Sequence, residues 1–306
     1  MHSTLYSKHE KHFQAFLCLI LFLVMLVTVY PMWYSFINSL DSAKDIAQNG
    51  YTPLFIRDFT FESWATVLND PEIIRAFLTT LGRAVAVTIL QTLITAMFAY
   101  GFSRPNLRAR RIYSTLGFLS MYLNGGVIAY FILFNTMGLY DNFLVYIIPC
   151  LFGGFYNVII YNANFKSIPE SLFESAKMDG ASEVRIFFQI VMPLSRPVIT
   201  ALGIFTAVGM WNDYTQTLYY TRSSELQTLS YYTLSLSKSA QSAANLASTM
   251  TGTSASSVIT AMADASSNYK TIELACMVIS AIPLIVMYPF AQKYFEKGVM
   301  VGSVKG

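Results

Sequence analysis

Charge is scarce in this chain. Of its 306 residues only 12% are Asp, Glu, Lys or Arg, against about a quarter in an ordinary soluble domain. Hydrophobic residues make up 54% and the mean hydropathy is +0.47. That balance describes an integral membrane protein and excludes a soluble domain or a nucleic-acid-binding surface. Cysteine is rarer still. Cys18, Cys150 and Cys276 lie far apart in apolar stretches, which gives neither a metal cluster nor a disulfide frame, and they read as small buried hydrophobes. The histidines His2, His9 and His12 crowd the N-terminus, where solvent or headgroups suit them better than catalysis. No G-x-x-x-x-G-K-[ST], H-E-x-x-H or G-x-S-x-G occurs, so neither a phosphate-binding loop nor a hydrolase signature is present. An enzyme is not expected, and no catalytic, cofactor-binding or metal-ligating residue is assigned.

What the chain does contain is apolar length. Six stretches approach the roughly 20 residues that a membrane-crossing helix needs: 13–37, 76–100, 112–134, 143–161, 198–220 and 272–290. Backbone groups in lipid must bond internally, and the absence of two-residue alternation selects helices over barrel strands. The first stretch is too long for a secretory signal core and has no small-x-small cleavage site. It runs through Pro31-Met32-Trp33-Tyr34 into an aromatic interface, so it is expected to stay as a span. Basic residues concentrate on alternate connections: Arg104, Arg108, Arg110 and Arg111 in the second, Lys166, Lys177, Arg185 and Arg196 in the fourth, with Lys8, Lys11, Lys293, Lys297 and Lys305 near the termini. The positive-inside rule makes those connections and both termini cytoplasmic. Arg83 remains inside a span, where its long stem is expected to snorkel to the interface rather than serve a pore.

The first outward connection mixes charges with Trp64 and Pro71. The fifth, 221–271, carries a Ser/Ala/Thr-rich run over 237–267. Such low complexity reads mainly as a flexible loop, with Val258, Ile259 and Met262 at helical spacing.

The fourth connection is the polar oddity. Pro169 leads into a short amphipathic helix over 171–178, Gly180 permits a turn that a β-carbon would resist, and a second helix follows until Pro193 ends it. A connector resting on headgroups would look similar. The pattern Glu174-Ser175-Ala176, Asp179-Gly180-Ala181 and Pro193-Leu194 resembles the EAA loop of ABC importer permeases, with Ser175 where an alanine is usual. Similarity extends to Asn124-Gly125-Gly126, Asn157-Val158-Ile159-Ile160, Met210-Trp211-Asn212 and the tail from Tyr288 to Gly306. That tail is similar to the carbohydrate branch of the family, like the maltose permease G subunit and the Gram-positive oligosaccharide permeases.

The resemblance implies an all-α permease with six transmembrane helices, cytoplasmic coupling helices and both termini in the cytoplasm. The resemblance covers the chain from Ala76 onward, and hydropathy and charge make residues 1–75 an N-terminal segment with the first span and an extracellular loop. A five-helix core would follow over 76–295, including coupling loop 166–197 and extracellular loop 221–271, and then a cytoplasmic tail over 296–306. Glu174, Ser175, Ala176, Asp179, Gly180, Ala181 and Pro193 would couple to a separate ATPase dimer, which would hold the ATP and Mg that this chain lacks a loop to bind. The other implied partners are a second homologous permease, an extracellular solute-binding protein and an oligosaccharide. Such a hetero-oligomeric importer sits in the cell membrane and works by alternating access.

For the substrate path the candidates are Trp211, Asn212, Asp213 and Tyr214 in the fifth span, with Asn124 and Asn157 secondary. Amide, carboxylate and aromatic groups suit sugar hydroxyls and pyranose faces, and polar groups in a span should face the bundle. An interfacial aromatic belt remains open as the alternative. A secondary transporter or channel for a polar solute would need intramembrane acids, and Asp213 reads as the clear one. A membrane-anchored scaffold leaves Asn212 and Asp213 without a purpose.

Overall fold

The computed structural model describes residues 8–249 and 256–303; His2, Lys305 and Gly306 lie outside them. The only β pairing among the described residues is an isolated antiparallel bridge between Asp41 and Phe59. Everything else that is regular is helical. In chain order, α1 is Lys8–Ser39, α2 Ala43–Asn49, α3 Glu62–Asn69 and α4 Pro71–Ser103. Next come α5 Arg110–Tyr122, α6 Gly126–Thr136 and α7 Gly154–Lys166. The polar connection holds α8 Glu170–Met178 and α9 Glu183–Ile186, and α9 runs through a π turn, Phe187–Val191, into α10 Met192–Leu194. The chain finishes with α11 Arg196–Asn212, α12 Thr215–Tyr220, α13 Leu229–Thr249 and α14 Ser256–Ser303.

Three of the six expected spans are continuous: His12–Ser39, Pro71–Ser103 and Asp264–Pro289 are each long and apolar enough to cross a bilayer. The other three are broken. Arg110–Tyr122 and Gly126–Thr136 meet at 110°, Phe143–Cys150 and Gly154–Lys166 at 49°, and Glu183–Leu194 and Arg196–Asn212 at 83°. The third span therefore stops at Leu123, and the fifth ends at Asn212 rather than at residue 220. Each break carries residues that stop helices: Asn124 with Gly125, Gly153, and Ser195 before Pro197. Apolarity alone does not register such interruptions.

The second helix stops one residue beyond the expected end at Pro193. The helical run continues to Leu194, because proline suits the first turn of a helix. The ladder accommodates it upstream, where the Met192 N–H reaches five residues back to the Phe187 carbonyl. The described residues of the run over 237–267 are also helical rather than loose. Alanine is the strongest helix former, and serine hydroxyls there bond within the helices, as Ser239 does to the Ser235 carbonyl at 2.9 Å.

The chain divides into two compact units at residues 70/71, 232/233 and 279/280. In the first, α1 is exposed from His12 to Trp33, Cys18 included, so that cysteine is lipid-length surface and not core. Its far end is knitted to the connection that follows. Asn38 exchanges hydrogen bonds with Thr52 at 2.8 and 2.9 Å, the buried Asp41 carboxylate accepts the N–H groups of Ser42 and Asp58, and the Trp64 indole donates to Ser39 at 3.0 Å. Within α14, Glu273 is 2% exposed and pairs with Lys270 at 2.8 Å. Asp213 is thus not the sole acid in an apolar stretch. Glu273 stands at the boundary of the last one, with its neutralising lysine one turn back.

The second unit is built on α4, which packs along α11 and α7. Small residues on α4, Ala96 and Ala99, let the aromatic side chains of α7 come close, and the core they share holds Phe155, Tyr161, Phe165, Phe173, Phe187 and Leu202. At Gly117 the approach of α5 to α7 leaves no room for a side chain, since a Cβ there would fall 2.3 Å from the Phe155 ring.

Candidate functional site

The polar segment forms two short helices on either side of Gly180. The first ends in a Schellman turn: Gly180 sits at φ +76°, its N–H reaches the Lys177 carbonyl, and the Ala181 N–H reaches back to Ala176 at 2.9 Å. Ser182 then opens the next helix by accepting the Arg185 N–H on its hydroxyl. One side of this pair is embedded, with Phe173, Ile186, Phe187 and Val191 buried and Ala176 and Ala181 packed at the margin. The opposite side is open. Glu174, Ser175, Asp179, Gly180 and Pro193 are exposed, as are the apolar Met178 (88%) and Val184 (63%). A shallow hollow of about 200 Å³ lies beside the turn, lined by Ala176, Asp179, Ala181, Arg185 and Gln189 among others.

Polar contacts fasten the pair to the C-terminal end of α4. The Tyr100 hydroxyl donates to Glu183 Oε2 at 2.5 Å, and Lys177 Nζ meets Glu183 Oε1 at 2.9 Å. The Arg104 guanidinium lies 3.9 Å over the Phe173 ring and 4.8 Å over that of Tyr100. The Tyr100 hydroxyl, and after it Lys177, holds the Glu183 carboxyl below the usual glutamate range.

The second constellation surrounds the end of α11. Trp211 is buried, donating its indole N–H to the Ser280 carbonyl at 3.0 Å and meeting Phe77 edge-on. Asn212 is exposed and bonds back to the Val208 carbonyl, and Tyr214 is exposed as well. At Asp213 the backbone turns extended. Its carboxylate accepts the Thr215 N–H and hydroxyl at the start of α12, and it pairs with Arg83. Arg83 does not snorkel. Its side chain is wholly buried, it donates a second bond to the Asp213 carbonyl at 3.1 Å, and it stacks over Tyr146. A charge with a partner at hand need not reach for water. Tyr146 extends the network through Thr217 and the Leu226 carbonyl, and Thr217 through Thr228.

Sequence reasoning missed this pairing, although the signal existed: one arginine and one aspartate inside otherwise neutral stretches. The secondary candidates occupy two other breaks. Asn124 is exposed and its side-chain carbonyl accepts the Gly126 N–H at 2.9 Å. Asn157 is half-buried near the start of α7. Missed too was Asp141, which takes a positive φ of 56° and accepts the N–H groups of Arg222 and Ser223 and the Ser223 hydroxyl. Among the described residues no group of His, Cys, Asp or Glu could hold a metal ion.

Three continuous and three broken candidate spans, with a glycine-hinged polar helix pair among them, describe a multi-pass membrane protein. The family described as Binding-protein-dependent transport system inner membrane component matches residues 91–301, and the chain belongs to it. It is 32% identical over 291 residues to Protein LplC of Bacillus subtilis (strain 168), covering 94% of each chain. It is 30% identical to the polygalacturonan/rhamnogalacturonan transport system permease protein YtcP of the same organism, covering 93% of this chain and 96% of that one. Among solved structures it is similar to a chain of a bacterial ABC transporter involved in the import of the acidic polysaccharide alginate. That match has a TM-score of 0.77 and 26% identity, and covers 96% of this chain and all of the other. The protein is therefore a multi-pass inner-membrane permease with the ABC importer fold.

Proposed function

We propose that this chain forms one part of the translocation path of an oligosaccharide importer and is moved by a separate ATPase through residues 170–194. The observation that carries the reading is the Gly180-hinged helix pair, anchored by Phe173, Ile186 and Phe187 on one side and bare on the other. Glu174, Ser175, Asp179 and Gly180 lie on the bare side with Met178 and Val184, and Ala176 and Ala181 border the hollow. Such a surface suits a protein cleft, and Pro193 carries the helical run toward the fifth span. ATP and Mg belong to the ATPase dimer. A second permease completes the bundle, an extracellular solute-binding protein delivers the sugar, and both termini lie in the cytoplasm.

Sugar is favoured because relatives along nearly the whole chain are named for polygalacturonan and rhamnogalacturonan, arabinooligosaccharides and maltodextrin transport. Asn212 and Tyr214 at the open break of the fifth span, with Asp213 between them, are the groups on this chain best placed to meet hydroxyls. Trp211, turned into the bundle, supports them from behind.

Affinity purification of the assembled transporter from cells expressing Asp179→Lys or Gly180→Pro tests the coupling assignment. Loss of the ATPase from the preparation, together with loss of sugar uptake, is expected. Normal ATPase recovery and uptake in both variants would overturn it. Sugar-stimulated transport unchanged in Asn212→Ala and Tyr214→Ala would remove the path assignment alone.

A further inference from the structure

From the loop to the outer half of the fifth span, the route through α7 bends by 49° at Gly153, and two others remain. The covalent one runs along α9, the π turn, Pro193 and Ser195 into α11, and it bends by 83° on the way. A bend flanked by a π turn and two prolines transmits displacement poorly, because it is where backbone dihedrals can absorb it. The other route is α4. Within the second unit it is the one unbroken helix of membrane length among the described residues, and its only proline, Pro71, stands at its start.

Both ends of α4 are gripped. At the inner end Tyr100 holds Glu183 of the second coupling helix, and Arg104, just beyond the helix, covers Phe173 of the first. Toward the outer end Arg83 holds both the carboxylate and the carbonyl of Asp213, where α11 stops. Tyr100 and Arg83 are roughly 26 Å apart along the axis at about 1.5 Å rise per residue. The grips differ in kind from ordinary core contacts. Each joins a charged side chain to a partner of fixed direction, so each resists sliding as well as separation.

We propose that α4 is the transmission rod of this permease, with Tyr100 and Arg104 as positioning residues at its driven end and Arg83–Asp213 as the coupling at its working end. The inference rests on the coupling role of residues 170–194 and goes beyond it by naming what that loop moves. Displacement of the helix pair drives α4 along its axis. Arg83 then carries the break at Asp213 with it, and so moves the exposed Asn212 and Tyr214.

The test uses the reconstituted transporter with its ATPase and binding protein, comparing wild type with Tyr100→Phe and Arg83→Lys. Tyr100→Phe removes one hydroxyl and leaves the ring packed against Phe187. Arg83→Lys keeps the charge but loses the two-point grip. Sugar transported per ATP hydrolysed is expected to fall roughly tenfold in each, the equivalent of one lost charge-assisted hydrogen bond, while the ATPase still co-purifies. A purely structural role would lower the unfolding temperature and leave that ratio alone. An unchanged ratio in both variants overturns the proposal. So does loss of the ATPase from Tyr100→Phe, because Tyr100 would then serve docking and not transmission. Failure of the coupling assignment itself is recognised separately, by normal ATPase recovery and uptake in both Asp179→Lys and Gly180→Pro.

Discussion

Arg83 and Asp213, 130 residues apart in sequence, form an ion pair in which the arginine side chain is wholly buried and the aspartate 22% exposed. The pair closes the gap that opens where α11 ends. It joins two breaks in regular structure, since Tyr146, which stacks beneath Arg83, belongs to the 3₁₀ turn Phe143–Tyr146 of the fourth span.

Removing one partner leaves a buried charge alone, which costs about 3 kcal/mol or more. Asp213→Ala is expected to destabilise the purified assembly more than Arg83→Met, because the guanidinium is the deeper group. The double variant should recover part of the loss. Thermal unfolding of the three variants checks the order, and a double variant worse than both singles would contradict it.

Gly117 has no space for a β-carbon beside Phe155, so Gly117→Ala must displace that ring from Phe102 and Phe118. Overpacking of this kind costs about 1–3 kcal/mol. Gly82, inside α4 with nothing within 4 Å of its would-be Cβ, provides the control. Gly82→Ala is expected to be neutral or slightly stabilising. Comparable unfolding temperatures for the two variants would rule out the close approach.

The left-handed turn at Gly180 tolerates asparagine better than a β-branched residue. Gly180→Asn is expected to retain most ATPase recovery and Gly180→Val to lose most of it. Since a Cβ at this position meets nothing within 4 Å, bulk alone would not separate the two. Equal recovery would mean that backbone conformation at the hinge does not matter.

Asp141 should make stability depend on pH on the acid side. The Ser223 hydroxyl, then the Ser223 and Arg222 N–H groups, hold its carboxyl below the usual aspartate range. A lowered folded-state pKa means that the unfolded chain takes up its proton first. The stabilisation is therefore complete above the ordinary aspartate value of about 4 and is lost as pH falls through the folded value. Asp141→Asn is expected to unfold at lower temperature than wild type near neutrality, with the gap closing in acid. A gap independent of pH would refute the assignment.

Most of the architecture was legible in the sequence because membranes impose length and apolarity on what crosses them. The stretches at 13–37, 76–100 and 272–290 became continuous helices. The Gly180 turn was legible because so few residues accept its φ. The breaks were not. Asn124 and Gly153 are common residues, and a hydropathy average over a long apolar stretch passes across them. The Arg83–Asp213 pair was hidden for a related reason. Snorkelling is the sound expectation for a lone arginine in a span, and its partner lay beyond a helix end that hydropathy had drawn past residue 213. The helicity of Ser/Ala-rich α13 was obscured by reading composition as looseness when alanine argued otherwise.

The break at Leu123 to Gly125 has a cost that falls on the unassembled chain. Every residue from Met121 to Phe131 is exposed, and α5 ends there with final-turn carbonyls that no helix continues to satisfy. Hydrocarbon does not forgive bare backbone of this kind. A copy made without its companion is therefore expected to be lost from the membrane sooner than one that is joined, so that the amount of one subunit follows the amount of the other.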